Sequence, residues 1–484
     1  MSRYDFDIGV LGGGSGGLTV AAGAAQFGAK TLLVEKEKEL GGDCLHYGCV
    51  PSKTLIRTAH VRHLLKHAPK YGLPAVAVPP VDFRDVVRRI QSVIAAIQKH
   101  DSEERFCRLG ARVEFGEPRF VDEHAVRLNG STYSAKHWVI ATGSSASTAP
   151  IPGLDRTPTL TNREIFSLDR LPRSMIILGG GPIGVEMGQA FCRLGTEVDI
   201  VDVAPQILNR EDKDMTDVVM QVMQAEGVRF HLGASILEVR DLGDEKEVVI
   251  RRGEETKSLR SEAILVALGR KANLEGLGLE AIGVEFDGKG LKLDGRLRTT
   301  AHSHIYGVGD VTGTYQFTHA AGYEGGIAIT NAVFRLPRKA DYTYLPWCTY
   351  TDPELASIGM NEKAAREAGI EYSLWTENFR DNDRSLAEGE QEGKIKLLLD
   401  EKEKPIGIQI LGPSAGNLIS EWVAALNGGT RLSTLAASVH PYPTLGEINK
   451  RVAGNFMATK LFSDTVKRGL KFFFSLRGRA CECP

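Results

Sequence analysis

The chain has 484 residues, too many for one ordinary core and enough for about three domains. It is 42% hydrophobic and 25% charged, the balance of a soluble globular protein, and its 59 basic and 61 acidic side chains leave a net charge of −2. No global field would recruit nucleic acid or an anionic membrane, and no apolar run approaches the ~20 residues that span a bilayer. The opening MSRYDFDIGV enters a strand at once and leaves no room for a signal peptide. Seven cysteines, an odd number spread along the chain, do not form a secreted disulfide framework, so a cytoplasmic protein is expected.

Residues 5–35, DFDIGVLGGGSGGLTVAAGAAQFGAKTLLVE, read as strand, glycine turn, helix and strand. Gly12, Gly14 and Gly17 fit GxGxxG: the first permits the turn, the second lets backbone approach a pyrophosphate, and the third packs helix on strand. Glu35 ends the next strand, 18 residues after Gly17, where a carboxylate accepts from ribose hydroxyls.

GGDCLHYGCVPSK (41–53) follows, with Cys44 and Cys49 five positions apart. A structural staple, half of a metal site and a pair made to open and close are the candidates. Pro51 suits the first turn of a helix, which puts Cys49 near a helix N-terminus, where a thiol pKa falls. The other cysteines are scattered and complete no metal set; in a reducing compartment a redox pair is favoured. Residues 82–110 read as one long helix.

The first grammar returns at 174–202, SMIILGGGPIGVEMGQAFCRLGTEVDIVD, with Gly179, Gly181 and Gly184. Asp202 lies 18 residues beyond the last glycine, and no arginine follows to hold a 2′-phosphate, which favours NADH over NADPH. Two such halves suggest a resident and a visiting dinucleotide, the pattern of a flavoprotein. After residue 460, Phe462, Val466, Leu470 and Phe473 form an apolar helical stripe beside Lys467, Arg468, Lys471, Arg477 and Arg479. Such an end can rest on a membrane, dock on a partner, or pack on the body of a dimer. It closes on Cys481 and Cys483.

GGDCLHYGCVPSK resembles the active-site segment of the pyridine nucleotide–disulfide oxidoreductases, which include lipoamide dehydrogenase, glutathione reductase and mercuric reductase. WVIATGS (138–144) and AILVALGR (263–270) resemble the segments that cross between that family's domains. IYGVGDV (305–311) is similar to its second flavin motif, and PWCTYTDPELASIG (346–359) to the start of its dimerisation domain. The resemblance covers roughly residues 5–460. It implies an α/β fold: a discontinuous FAD domain (1–150 and 271–338), an NAD(P) domain (151–270) and an α+β dimerisation domain (339–460), with 461–484 as a tail. Cys44 would be the interchange thiol and Cys49 the charge-transfer thiol. Lys53 would pair with Glu186 near the flavin. Thr142, Gly143, Gly309 and Asp310 would join the FAD site, and Gly269 the NAD site. Electrons would pass from NADH through FAD to the Cys44–Cys49 disulfide and on to a small disulfide, reversibly.

Family members acting on disulfides usually carry HPTxxE, whose histidine is the acid–base supplied by the partner subunit of a homodimer. Here the segment is VHPYPTLGEI (439–448): Glu447 aligns, but Tyr442 takes the histidine position and His440 lies two residues upstream. A phenol titrates near ~10 and an imidazole near ~6.5. Either His440 replaces the missing imidazole, or Tyr442 occupies the site and the substrate needs less proton transfer, a case that mercuric reductases resemble, with a metal ion as substrate. Asp43, His46 and Tyr47 also depart from the lipoamide dehydrogenase pattern, and Pro182 replaces a tyrosine that gates the nicotinamide in glutathione reductases. No resident metal is expected. A flavoprotein with a docking or signalling role is the remaining alternative, against which the dithiol argues.

Overall fold

The computed structural model describes residues 4–478, 480 and 481. Cys483 and Arg479 lie outside the described residues. The backbone clusters into two compact units. The first takes the chain up to Pro69, Leu73–Ile207 and Gln224–Tyr342; the second takes Lys70–Gly72, Leu208–Met223 and the chain from Thr343 on.

The first unit holds two parallel sheets built from the continuous apolar runs that sheets covered on both faces require. In one, Phe6–Leu11 pairs with Thr31–Glu35 and with Ser131–Ile140, Thr31–Glu35 pairs with Ala111–Phe115, and Ile305–Gly307 pairs with Ser131–Ile140, all in parallel. An antiparallel extension through Ala125–Leu128 and Arg119–Asp122 completes seven strands. In the other, the order is Arg229–Leu232, Glu197–Asp202, Ser174–Leu178, Ala263–Val266, again parallel. Helices Ser15–Gln26 and Pro182–Leu194 follow the first strands of these two sheets, so two Rossmann-like halves stand in one unit. The crossing segments meet where Ser144–Ala146 pairs antiparallel with Arg270–Ala272.

The second unit is α+β: a five-stranded antiparallel sheet, Pro346–Thr349, Glu354–Gly359, Pro405–Gly412, Lys394–Leu399 and Ser373–Asn378, with helices. Its core joins Ile395, Leu397, Ile408 and Ile410 to the fully buried Trp422 and to Val452 and Phe456.

Two expected elements differ. Residues 82–110 form two helices, Phe83–Gln98 and Glu103–Leu109, because Ser102 starts the second one, its hydroxyl accepting from the Arg105 N–H at 3.3 Å. The apolar stripe of the tail likewise breaks at Ser463, which caps a helix over Asp464–Phe474, and Phe462 ends the preceding helix Glu447–Leu461.

Candidate active site

Cys44 lies in the short helix Gly42–His46, and Cys49 opens the helix Cys49–Lys66. A Cβ on Gly42 would stand 2.6 Å from the Gly14 Cα, and the Gly41 N–H donates to the Gly13 carbonyl at 2.8 Å. The cysteine loop is thereby strapped to the first glycine turn, a closeness that only glycine allows. Both cysteines are free thiols. A hydrogen bond from Cys44 is the main cause that lowers Cys49 to about 6; burial opposes it, and the Thr318 hydroxyl and the Lys53 charge assist. The same hydrogen bond, with burial, pushes Cys44 up. Cys49 is therefore the thiolate of the reduced pair and Cys44 holds the proton.

Lys53 lies one turn beyond Cys49 on the same helix, and its ammonium donates to Glu186 Oε2 at 2.7 Å. Glu186 is buried on the helix Pro182–Leu194 of the second Rossmann half. The glycine turns are built alike. A Cβ on Gly17 would meet the Gly12 carbonyl oxygen at 1.8 Å, and one on Gly184 would meet that of Gly179 at 1.9 Å. Glu35 accepts from Gly13 N–H at 2.6 Å, and Asp202 from Gly180 N–H at 2.5 Å, so each acid holds the turn it faces. Neither following helix has a side-chain cap, and around Gly181 there is open space. An uncapped N-terminus edged by glycines suits a pyrophosphate. These residues fit FAD in the first half and a nicotinamide dinucleotide in the second.

Asp310 sits in the turn Gly309–Thr312; burial pushes its carboxyl up, Ser144 donates to it, and Arg270 Nε lies 3.9 Å away. The Thr142 hydroxyl donates to the Asn273 carbonyl at 2.6 Å, and the Gly143 carbonyl accepts from Asn273 N–H at 2.9 Å. Gly269 adjoins that same crossing, its carbonyl accepting from Ser147 N–H at 2.9 Å.

In the second unit, His440 Nε2 lies 2.9 Å from Glu421 Oε1, and Asn449 Nδ2 donates to the other Glu421 oxygen at 2.9 Å. Tyr442 is 70% exposed and donates to Asp383 at 2.8 Å, a bond that holds its phenol above its usual range. Glu447 accepts from Thr444 N–H at 3.4 Å, not from a histidine.

Sequence reasoning gave no structural role to four contributors. Thr318 reaches Cys49 Sγ at 3.3 Å across a separation of 269 residues, which no local pattern signals. Asp43 accepts from Arg270 at 2.9 Å and from Asn162 at 3.0 Å, tying the cysteine loop to the crossing segment. Glu324, raised to about 7 chiefly by burial, accepts from the Gly309 N–H at 2.6 Å and from Tyr342 at 2.7 Å, and so supports the Asp310 turn. Glu421 is the fourth.

Residues 6–325 match the family described as pyridine nucleotide-disulphide oxidoreductase, and residues 345–453 match that family's dimerisation domain. The chain belongs to this family. It is an oxidoreductase of the FAD-dependent, NAD(P)H-linked flavoprotein type. It is 33% identical over 447 residues to a mercuric reductase of Bacillus cereus, covering 92% of this chain and 70% of that one. A dihydrolipoyl dehydrogenase of Bacillus subtilis (strain 168) is also 33% identical over 447 residues, covering 91% and 96%. Among solved structures it is similar to the HOCl-induced flavoprotein disulfide reductase RclA from Escherichia coli, with a TM-score of 0.83 and 26% identity over 93% and 99% of the two chains. Within this family, no described helix of the chain is long and apolar enough to cross a membrane.

Proposed function

We propose that this enzyme carries electrons from NADH to a small disulfide through Cys44 and Cys49, and can run in reverse from a dithiol to NAD. The observation that carries the reading is the asymmetric thiol pair: Cys49 is a thiolate held by Cys44, Thr318 and Lys53, while Cys44 keeps the proton. When bound, FAD takes a hydride from the nicotinamide and supplies an electron pair to the disulfide. Gly12, Gly14, Gly17, Glu35, Thr142, Gly143, Gly309 and Asp310 would hold it. Gly179, Gly181, Gly184 and Gly269 would hold the nicotinamide dinucleotide, and the Asp202 carboxylate would repel a 2′-phosphate, favouring NADH.

In the oxidative half, Cys44 loses its proton and attacks one substrate sulfur. The substrate's disulfide breaks, and one thiol leaves with a proton. Cys49 then attacks Cys44, releases the second thiol and restores the protein disulfide. The net change is NADH, a proton and a disulfide to NAD and two thiols. The proton at Cys44 needs a base of near-neutral pKa. The His440–Glu421 pair supplies an oriented imidazole, whereas the Tyr442 phenol is engaged with Asp383. The site is shared across a homodimer, with His440 of the partner subunit serving Cys44 and Tyr442 and Glu447 shaping its surroundings. Residues 1–150 and 271–338 form the FAD domain, 151–270 the NAD domain and 339–460 the dimer domain, in a cytoplasmic enzyme. Tyr442 at the position of the family histidine favours a second reading, reduction of a metal ion such as Hg(II).

The test is anaerobic reduction of the holoenzyme with one equivalent of NADH, followed by stopped-flow mixing with lipoamide or Hg(II). Rapid reoxidation by lipoamide, abolished in Cys44→Ser while flavin reduction by NADH persists, is expected. Reoxidation by Hg(II) alone would establish the second reading, and full turnover of Cys44→Ser would refute both.

A further inference from the structure

The family's dimerisation domain matches only to residue 453, so the helix Asp464–Phe474 lies beyond what that domain accounts for. It has no buried residue. At 3.6 residues per turn, Val466, Leu470, Phe473 and Phe474 share an arc of roughly 100°, and Lys467, Lys471 and Arg468 take the adjoining roughly 100°. The last turn is different. Phe472, Phe473 and Phe474 are consecutive, therefore spread over roughly 200° of the circumference, wider than one face, and are 82%, 78% and 70% exposed. Leu476 follows at 52%. The segment 461–484 carries five basic and two acidic side chains, net +3, in a chain whose total is −2.

We propose that this helix docks the enzyme on an anionic lipid bilayer, lying in the headgroup region with its phenylalanine end inserted. A protein groove, including one on a second copy of this chain, covers one face of a helix and would leave part of the Phe472–Phe474 ring in water. A bilayer interface surrounds the inserted end and buries all three rings. Nucleic acid would satisfy the lysines and arginines but would leave the apolar arc exposed. The basic side chains flanking that arc meet anionic headgroups at the level the geometry sets, each adding to the attraction. Asp464, the one acid in the helix, is at its opposite end, 3.7 Å from Lys467. The site of reduction would then be held beside the membrane, within reach of disulfides or thiols presented there.

The test is flotation of the full-length, FAD-loaded protein with vesicles of phosphatidylcholine alone or mixed with phosphatidylglycerol. Recovery at least about tenfold higher with phosphatidylglycerol, lowered by salt, is expected. The variants K467E/R468E/K471E and F472S/F473S/F474S should each lose that recovery while reducing their flavin with NADH at the wild-type rate. Recovery that ignores phosphatidylglycerol or survives both variants would overturn the proposal. So would failure to bind vesicles combined with a Phe-dependent self-association, or with retention by nucleic acid. The flavin readout is separate from vesicle binding, so a failed docking leaves the reductase reading intact.

Discussion

Lys53 and Glu186 are 133 residues apart in the chain yet share a 2.7 Å ion pair, and Glu186 is only 6% exposed. A carboxylate this buried needs its ammonium partner, and the charge of that ammonium also reaches the Cys49 thiol. Cys49 has a folded pKa near 6, below an ordinary thiol's ~8.5, so the thiolate form is favoured by folding. Its contribution to stability is complete above about 8.5 and is lost as pH falls through 6. Alkylation of Cys49 in the NADH-reduced holoenzyme, followed by mass spectrometry, should rise with pH to a plateau with a midpoint near 6. Lys53→Gln should move that midpoint upward. A midpoint at the ordinary thiol value in the wild type would remove the thiolate assignment. The cysteines themselves were legible, because their spacing and the adjoining Pro51 are local. Thr318, Asp43 with Arg270, and Glu421 were not, since each acts through a contact that only the folded backbone creates.

Glycine turns separate two kinds of constraint that GxGxxG runs together. Gly184 faces the Gly179 carbonyl oxygen, 1.9 Å from where a Cβ would lie, whereas around Gly181 a Cβ meets nothing within 4 Å. Gly184→Ala should thus push helix Pro182–Leu194 off its strand, at a cost of about 1–3 kcal/mol. Gly181→Ala should leave the melting temperature within a degree or two but raise the KM for NADH about tenfold, because its methyl group intrudes where a pyrophosphate would approach. Thermal melts and NADH titrations of the two variants decide this; equal loss of stability in both would show that Gly181 also serves packing. Backbone sterics of this sort are written into a few adjacent residues, which is why both Rossmann halves could be read directly. The helix expected over 82–110 failed for a related reason: its apolar periodicity runs through Ser102, but the hydroxyl of that residue competes for backbone N–H groups and starts a new helix there.

At the scale of the whole molecule, the least legible feature is the route by which Leu208–Met223 leaves the first unit's stretch of sequence to join the second. Lys396 shows what holds it there. The side chain is 1% exposed and its ammonium bonds to Asp212 and Asp214 at 2.8 Å each and to Glu362 at 2.5 Å. These three carboxylates lie close enough together to hold a cation, and the ammonium takes that place. Asp212 is 184 residues from Lys396, so no periodicity or motif links them. Burial alone would lower the Lys396 pKa, but the carboxylates outweigh it and hold the group above its ordinary value. The Lys396 contribution is therefore complete below about 10.4 and is lost as pH climbs beyond, while that of Asp214 and Glu362, held below the usual carboxylate range, is lost on acidification. Lys396→Met fills the space yet leaves Asp212, 4% exposed, without its buried counter-charge, whereas Glu362 keeps Arg366 at 2.7 Å and Asp214 keeps Lys394 at 2.7 Å. Breaking a buried pair in this way costs about 3–5 kcal/mol, which in a unit of this size lowers the melting temperature by roughly 10 °C. Calorimetric melts of the wild type and the variant at pH 7 test it. A melting temperature unchanged at pH 7 would mean that hydrophobic packing alone keeps Leu208–Met223 in the second unit.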